Sequence, residues 1–206
     1  IGIKYKNKKK NITNTTLDPI KLSKLLETLK KKKIEYVIME ASSHGLKQNR
    51  LDGLLFDIGI FTNLSHDHLD YHKNFSDYLD SKLYLFKYLL KRNSTIITDS
   101  TLPQFPKIKK IANKKKYNLL SIFEKNSDLP MVSHKYEDDL QIIDIKYKSQ
   151  IYRIKLNLIG KIQIKNLLMA LLATIQSNID VKKVFSVISK IKSVEGRFEK
   201  IGLIKN

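Results

Sequence analysis

Apolar positions along the chain follow two alternating periods. After a basic, polar stretch at residues 4–14, read as a loop or weak hairpin, Asp18-Pro19 supplies an N-cap followed by a proline at the first helical position. Ile20, Leu22, Leu25, Leu26 and Leu29 then recur at helical spacing. Residues 34–39 form a short apolar run, read as a buried strand, and residues 41–53 a polar loop with two glycines. A second strand is predicted over 56–62 and a His/Asp-rich loop over 65–74. A helix over 75–91, capped by Ser76, follows. Strands at 94–98 and 117–123 flank a basic helix at 106–116. This alternation predicts an α/β fold, a mostly parallel sheet flanked by helices. Residues 140–158 break the rhythm. They read as two β segments around Lys148-Ser149-Gln150, a small antiparallel addition. Gly160 precedes an apolar helix over about 162–177, a second helix covers about 181–193, and a last strand is predicted over 197–204.

Composition changes this picture little. The 206 residues carry 39 Lys and Arg against 20 Asp and Glu, a formal charge of +19. Lysines are spread along the chain, and only Arg50, Arg92, Arg153 and Arg197 are arginine. Guanidinium forks suit phosphate and base recognition, so the excess reads as compositional bias and no nucleic-acid partner is expected. No apolar run reaches the roughly 18 residues of a membrane span, and no secretory leader pattern opens the chain. A cytoplasmic monomer without membrane contact is expected. The absence of cysteine excludes disulfides and thiolate metal sites. Because the chain begins at Ile1, it reads as a piece of a longer protein.

The candidate chemistry is concentrated. Three of the five histidines fall within Ser65-His66-Asp67-His68-Leu69-Asp70-Tyr71-His72, after a predicted strand, where ligands of open α/β sheets bind. Imidazole and carboxylate can hold Mg²⁺ or Mn²⁺; the bland alternative is a solvated polar loop. Glu40 ends the strand at 34–39 and could point into the same crevice, or simply into solvent. Ser42-Ser43 follows, and is also ordinary turn chemistry. Lys82 flanks the stripe Leu79, Leu83, Phe86, Leu90 of the helix at 75–91. Partial burial there would lower its pKa and make its amine reactive toward CO₂, whereas snorkelling is the usual fate of such a lysine. A zinc metallo-hydrolase of the His-x-His-x-Asp-His type fits poorly, since Tyr71 stands where the third histidine belongs.

The order of these segments resembles the central domain of the Mur ligases, in the branch of the UDP-N-acetylmuramoyl-tripeptide synthetases. The matching residues are Asn14-Thr15-Thr16, Glu40-Ala41-Ser42-Ser43-His44-Gly45-Leu46 with Gln48 and Arg50, Thr62-Asn63 through His72, Ser81-Lys82, Gly160-Lys161 with Asn166, and Gly196-Arg197-Phe198-Glu199. The resemblance implies an ATP- and Mg²⁺-dependent amide ligase that adds the third amino acid to UDP-MurNAc-L-Ala-D-Glu through an acyl phosphate. It implies Glu40, His68 and a carboxylated Lys82 as metal ligands, with Lys82 and His68 in the catalytic machinery. It assigns Asn14, Thr15, Thr16, Ser42, Gln48 and Arg50 to the UDP-MurNAc-dipeptide, and Asn63, Asn166 and Arg197 to the nucleotide. Residues 1–200 would form the central domain and 201–206 the start of a following one. Gln163, Leu17, His66 and Glu195 depart from the family pattern. No Gly-x-x-x-x-Gly-Lys-[Ser/Thr] loop occurs in the chain; the resemblance places it upstream, so the 206 residues alone are expected to be inactive. Another ligase of the same superfamily, of folylpolyglutamate-synthetase type, remains the alternative. The segment leaves the choice between meso-diaminopimelate and L-lysine open.

Overall fold

The computed structural model describes residues 2–5, 8–12, 14–65, 70–138 and 140–192. The chain divides into two compact units. One holds residues 1–57 and 64–91, the other residues 58–63 and 92–206.

In the first unit the basic N-terminal stretch is a hairpin. β1 (Gly2–Tyr5) pairs antiparallel with β2 (Lys8–Asn11), Gly2 opposite Asn11. Helix α1 (Pro19–Lys31) starts as its sequence dictates. Pro19 occupies the first turn, and the Asp18 carboxylate accepts a 3.0 Å bond from the Lys21 N–H. Two short segments correct the sequence reading. The stretch expected to be wholly loop at 41–53 contains a one-turn helix, α2 (Ser43–Lys47), capped by Ser42, whose Oγ accepts from the Gly45 N–H. The helix following the His/Asp loop, α3 (Phe75–Tyr88), is capped by Asn74, not Ser76; its side chain accepts from the Asp77 N–H at 2.9 Å. Leu22, Leu46, Leu51 and Leu89 form the unit's core, so α1, α2 and the end of α3 close on one apolar centre.

The expected buried strand at 34–39 is the clearest difference. Residues 34–40 belong to no strand, Val37 is 47% exposed and Ile38 97%. An apolar run of this kind is buried only when neighbours cover both its faces. Among the described strands none is paired with it.

The second unit carries the sheet, six strands in the order β3-β4-β5-β6-β7-β8. β3 is Phe56–Phe61, β4 Leu90–Asp99 and β5 Asn118–Phe123. β4 and β5 run parallel, from Thr95 opposite Asn118 to Asp99 opposite Ile122. β5 continues parallel into β6 (Leu129–Glu137) at Ile122–Leu129 and Phe123–Pro130. From β6 the sheet turns antiparallel through β7 (Leu140–Tyr147) and β8 (Gln150–Leu156). The α/β class and the antiparallel addition are both present, but the addition is three strands deep, because β6 joins the two expected. Helix α4 (Phe105–Lys115) connects β4 to β5. α5 (Lys161–Gln176) and α6 (Val181–Ile188) follow the meander. Ile97, Ile122, Ile143 and Ile145 of the sheet pack against Ile164, Leu168 and Leu172 of α5 in one core. α6 ends five residues before the expected 193, and the strand expected at 197–204 lies outside the described residues. No helix among the described residues is long and apolar enough to cross a membrane.

Candidate functional site

In the first unit, the residues around α2 form one hydrogen-bonded group. Thr16 is buried. Its hydroxyl donates to the Glu40 carbonyl at 3.1 Å, lies 2.9 Å from Ser42 Oγ, and accepts from the Ser42 N–H at 3.0 Å. Arg50 donates from Nη1 to the Thr16 carbonyl at 2.9 Å. Thr16, Ser42 and Arg50, set 26 and 34 residues from Thr16 in sequence, are therefore brought together. Gly45 makes this approach possible: a Cβ there would lie 2.7 Å from Thr16 Cβ. Gln48 is exposed and donates from Nε2 to the Tyr71 hydroxyl at 2.9 Å. Asn14 is exposed and Thr15 half-buried.

Glu40 and Lys82 belong to this same unit. Lys82 sits half-buried on α3, its Nζ 5.4 Å from the centre of the Tyr78 ring. Burial pushes the Lys82 amine below the usual lysine range, and the Glu40 carboxylate opposes that shift. Lys82 is thus partly buried, the position that its place beside the helix stripe allowed. The third expected metal ligand, His68, lies outside the described residues, as does Arg197. Among the described residues no group of three or more His, Cys, Asp or Glu is placed to hold a metal ion. Of the three expected ligands, Glu40 and Lys82 lie among the described residues, and a hard carboxylate oxygen suits Mg²⁺.

Below this surface lies a pairing that spacing did not reveal. His72 is 2% exposed. Its Nε2 is 2.9 Å from Ser43 Oγ, its Nδ1 3.6 Å from Asp77 Oδ2, and its ring stacks on Tyr78 at 4.9 Å. Lys47 pairs with the same Asp77 carboxylate. Burial lowers the His72 pKa, and the Lys47 and His44 charges add to the effect; Asp77 acts the other way. The imidazole is thus shifted toward its neutral form. It clasps the first residue of α2 to the first turn of α3, the helix that carries Lys82. Its signal in the sequence was its place in the His/Asp loop, which gave no partner.

The second unit places Asn63 just after β3, with its Oδ1 3.5 Å from the Thr62 hydroxyl. Asn166 is exposed in the second turn of α5. Gly160 enters that helix at φ +83°, a conformation glycine adopts without strain. At the carboxyl end of β4, the fully buried Asp99 meets Lys165 of α5, with Oδ2 to Nζ at 2.5 Å.

Sheet and helices define an α/β domain, and the chain belongs to the Mur ligase family: the model of the Mur ligase middle domain matches residues 1–174. Among its relatives is the UDP-N-acetylmuramoyl-L-alanyl-D-glutamate–2,6-diaminopimelate ligase of Fusobacterium nucleatum subsp. nucleatum, 37% identical over 196 residues, covering 90% of this chain and 37% of that protein. The ligase of the same name from Chelativorans sp. is 35% identical over 188 residues, 91% of this chain and 39% of that protein. A solved structure of a ligase with this name superposes with a TM-score of 0.80 at 26% identity, covering 89% of this chain and 38% of that one. The chain therefore spans about two-fifths of the length of these relatives.

Proposed function

We propose that this chain is the ATP- and Mg²⁺-binding central domain of a peptidoglycan ligase that joins 2,6-diaminopimelate to UDP-MurNAc-L-Ala-D-Glu. The observation that carries the reading is the Thr16–Ser42–Arg50 hydrogen-bonded group, tied to the Glu40 carbonyl and lying in the same unit as the half-buried Lys82. The relatives' names support the substrate and the incoming amine. A carboxylate is a poor electrophile. Transfer of the ATP γ-phosphoryl group to the D-Glu γ-carboxylate breaks the bond to ADP and forms an acyl phosphate. The amine then attacks the carbonyl, loses a proton and expels phosphate.

Each residue has a task in this scheme. The hydroxyls of Thr16 and Ser42, with Gln48, Arg50, Asn14 and Thr15, bind the nucleotide-sugar peptide. Asn63, Asn166 and Arg197 bind ATP. Glu40, His68 and Lys82, the last as its carbamate, would hold Mg²⁺, which would neutralise charge on the phosphate oxygens. The carbamate forms when the neutral Lys82 amine attacks CO₂ and releases one proton. Burial favours the neutral amine that this step requires. The His72 clasp holds the Ser42–Ser43 turn against α3 and so keeps the Glu40 loop and the Lys82 helix in register. The reading places the protein in the cytoplasm, where ATP and the nucleotide-linked precursor are found.

The test is ¹³C NMR of the chain under ¹³CO₂ with Mg²⁺ and ATP. A carbamate resonance absent from the Lys82→Arg variant is expected, together with calorimetric binding of UDP-MurNAc-L-Ala-D-Glu that Arg50→Ala weakens. A spectrum identical in the two proteins would remove Lys82 from the metal site.

A further inference from the structure

A lysine near the start of a helix is on the unfavourable end of the helix dipole. α5 has no acidic residue in its first turn and no side-chain cap, yet it carries Lys165 at its fifth position. The reason lies on the sheet. Asp99 ends β4 with no exposed surface. One carboxylate oxygen accepts from the Thr101 N–H and the Thr101 hydroxyl, both at 2.8 Å. The other faces Lys165 Nζ at 2.5 Å, and that ammonium also donates to Thr101 Oγ1 at 3.0 Å. The same ammonium lies 4.4 Å from the centre of the Phe123 ring. Phe123 ends β5 at φ +84°, in the left-handed region that a bulky aromatic residue avoids unless its surroundings enforce it. Ser100 Oγ, 3.3 Å from the Ile122 carbonyl, ties the two strand ends together.

We infer that Lys165 is a positioning residue for nucleotide binding: clamped onto the buried Asp99 and over Phe123, it fixes the first turns of α5, and with them Asn166, at the carboxyl ends of β4 and β5. The inference rests on the proposed role of Asn166. Lys165 does not itself reach out to a phosphate. Leaving Asp99 would strand a buried carboxylate, which costs more than a solvent-side contact returns. The ion pair instead anchors the start of α5 to the end of β4. It sets the rotation of α5 about its own axis, and so the direction in which the Asn166 amide faces.

The experiment measures Mg-ATP binding by calorimetry, alongside urea unfolding, to the longer protein that carries the upstream phosphate loop as well as these residues, for Lys165→Met, Lys165→Arg, Asp99→Asn/Lys165→Met and Asn166→Ala. Lys165→Met should lower both stability and affinity. The double variant removes the stranded charge and should regain stability while its affinity stays weak, by about fivefold, the factor carried by one displaced side-chain hydrogen bond. Lys165→Arg, which keeps the cation, should restore binding. A double variant that binds ATP as the parent does would show that the pair is structural only and overturn the inference. Unchanged affinity in Asn166→Ala while Asp99→Asn/Lys165→Met binds weakly would refute the nucleotide role of Asn166, and with it the inference as stated. A parent protein that includes the phosphate loop and binds no Mg-ATP would overturn both.

Discussion

Gly45→Ala tests the centre of the first unit. In an ordinary helix this change stabilises by up to about 1 kcal/mol; in a helix of five residues the gain is smaller. Against it stands the Thr16 side chain. The added methyl would lie 2.7 Å from Thr16 Cβ, 2.8 Å from Cγ2 and 2.9 Å from Oγ1. Overpacking of this kind costs about 1–3 kcal/mol. Thr16 cannot retreat freely, because its hydroxyl is engaged with the Glu40 carbonyl, Ser42 Oγ and the Ser42 N–H. Each of these bonds contributes about 1 kcal/mol, and displacement weakens more than one. The net expectation is a loss of about 2 kcal/mol. Urea titration followed by circular dichroism reads it as a lower midpoint at unchanged slope. Adding Thr16→Ser, which removes Cγ2, should recover part of the loss. A Gly45→Ala protein as stable as its parent would refute the tight Thr16 contact and the geometry drawn from it.

Other expectations follow from individual groups. The His72 pKa lies below 6.5 in the folded state, so the fold binds fewer protons there than the unfolded chain. Its contribution is present above pH 6.5 and is lost as pH falls below it; in His72→Gln, unfolding midpoints should vary less with pH between 6.5 and 5. Asp144 is held at about 2, first by the Arg153 hydrogen bonds and then by that of Ser133. Its contribution is complete above pH 3.8 and disappears as pH drops toward 2. Arg153→Gln should raise the Asp144 titration midpoint seen by NMR toward 3.8. Asn74→Ala removes the α3 cap and should cost about 1 kcal/mol by urea unfolding, while Ser76→Ala should cost less than half of that. Equal losses in the two variants would return the cap to Ser76.

Local signals were legible where one short stretch decides the outcome. Asp18-Pro19 dictated the start of α1, and the turn at 148–150 dictated the β7–β8 pairing. β6 was not read because Pro130 stands second in it and Ser133, Lys135 and Glu137 interrupt its apolar pattern. The α3 cap was misplaced because Asn74 and Ser76 are both good capping residues two positions apart. Residues 34–39 have the composition of a buried strand, but burial also needs a neighbour, which composition does not supply. Motif order singled out Glu40 and Lys82, and helix periodicity allowed the partial burial of Lys82 that the structure has. The His72–Ser43 and Asp99–Lys165 pairings were not, since their partners are 29 and 66 positions apart and no local period links them.

The path of the chain between its two units has a practical consequence. Residues 1–57 and 64–91 belong to one unit, while residues 58–63 leave for the other, which resumes at residue 92. No single cut can separate them. A ribosome also delivers most of the first unit before the second has received more than six residues of its sheet. Truncation after residue 91 should therefore keep the whole first unit with 58–63 as a stray excursion, whereas isolating the second unit needs a rejoined chain, with 63 linked directly to 92.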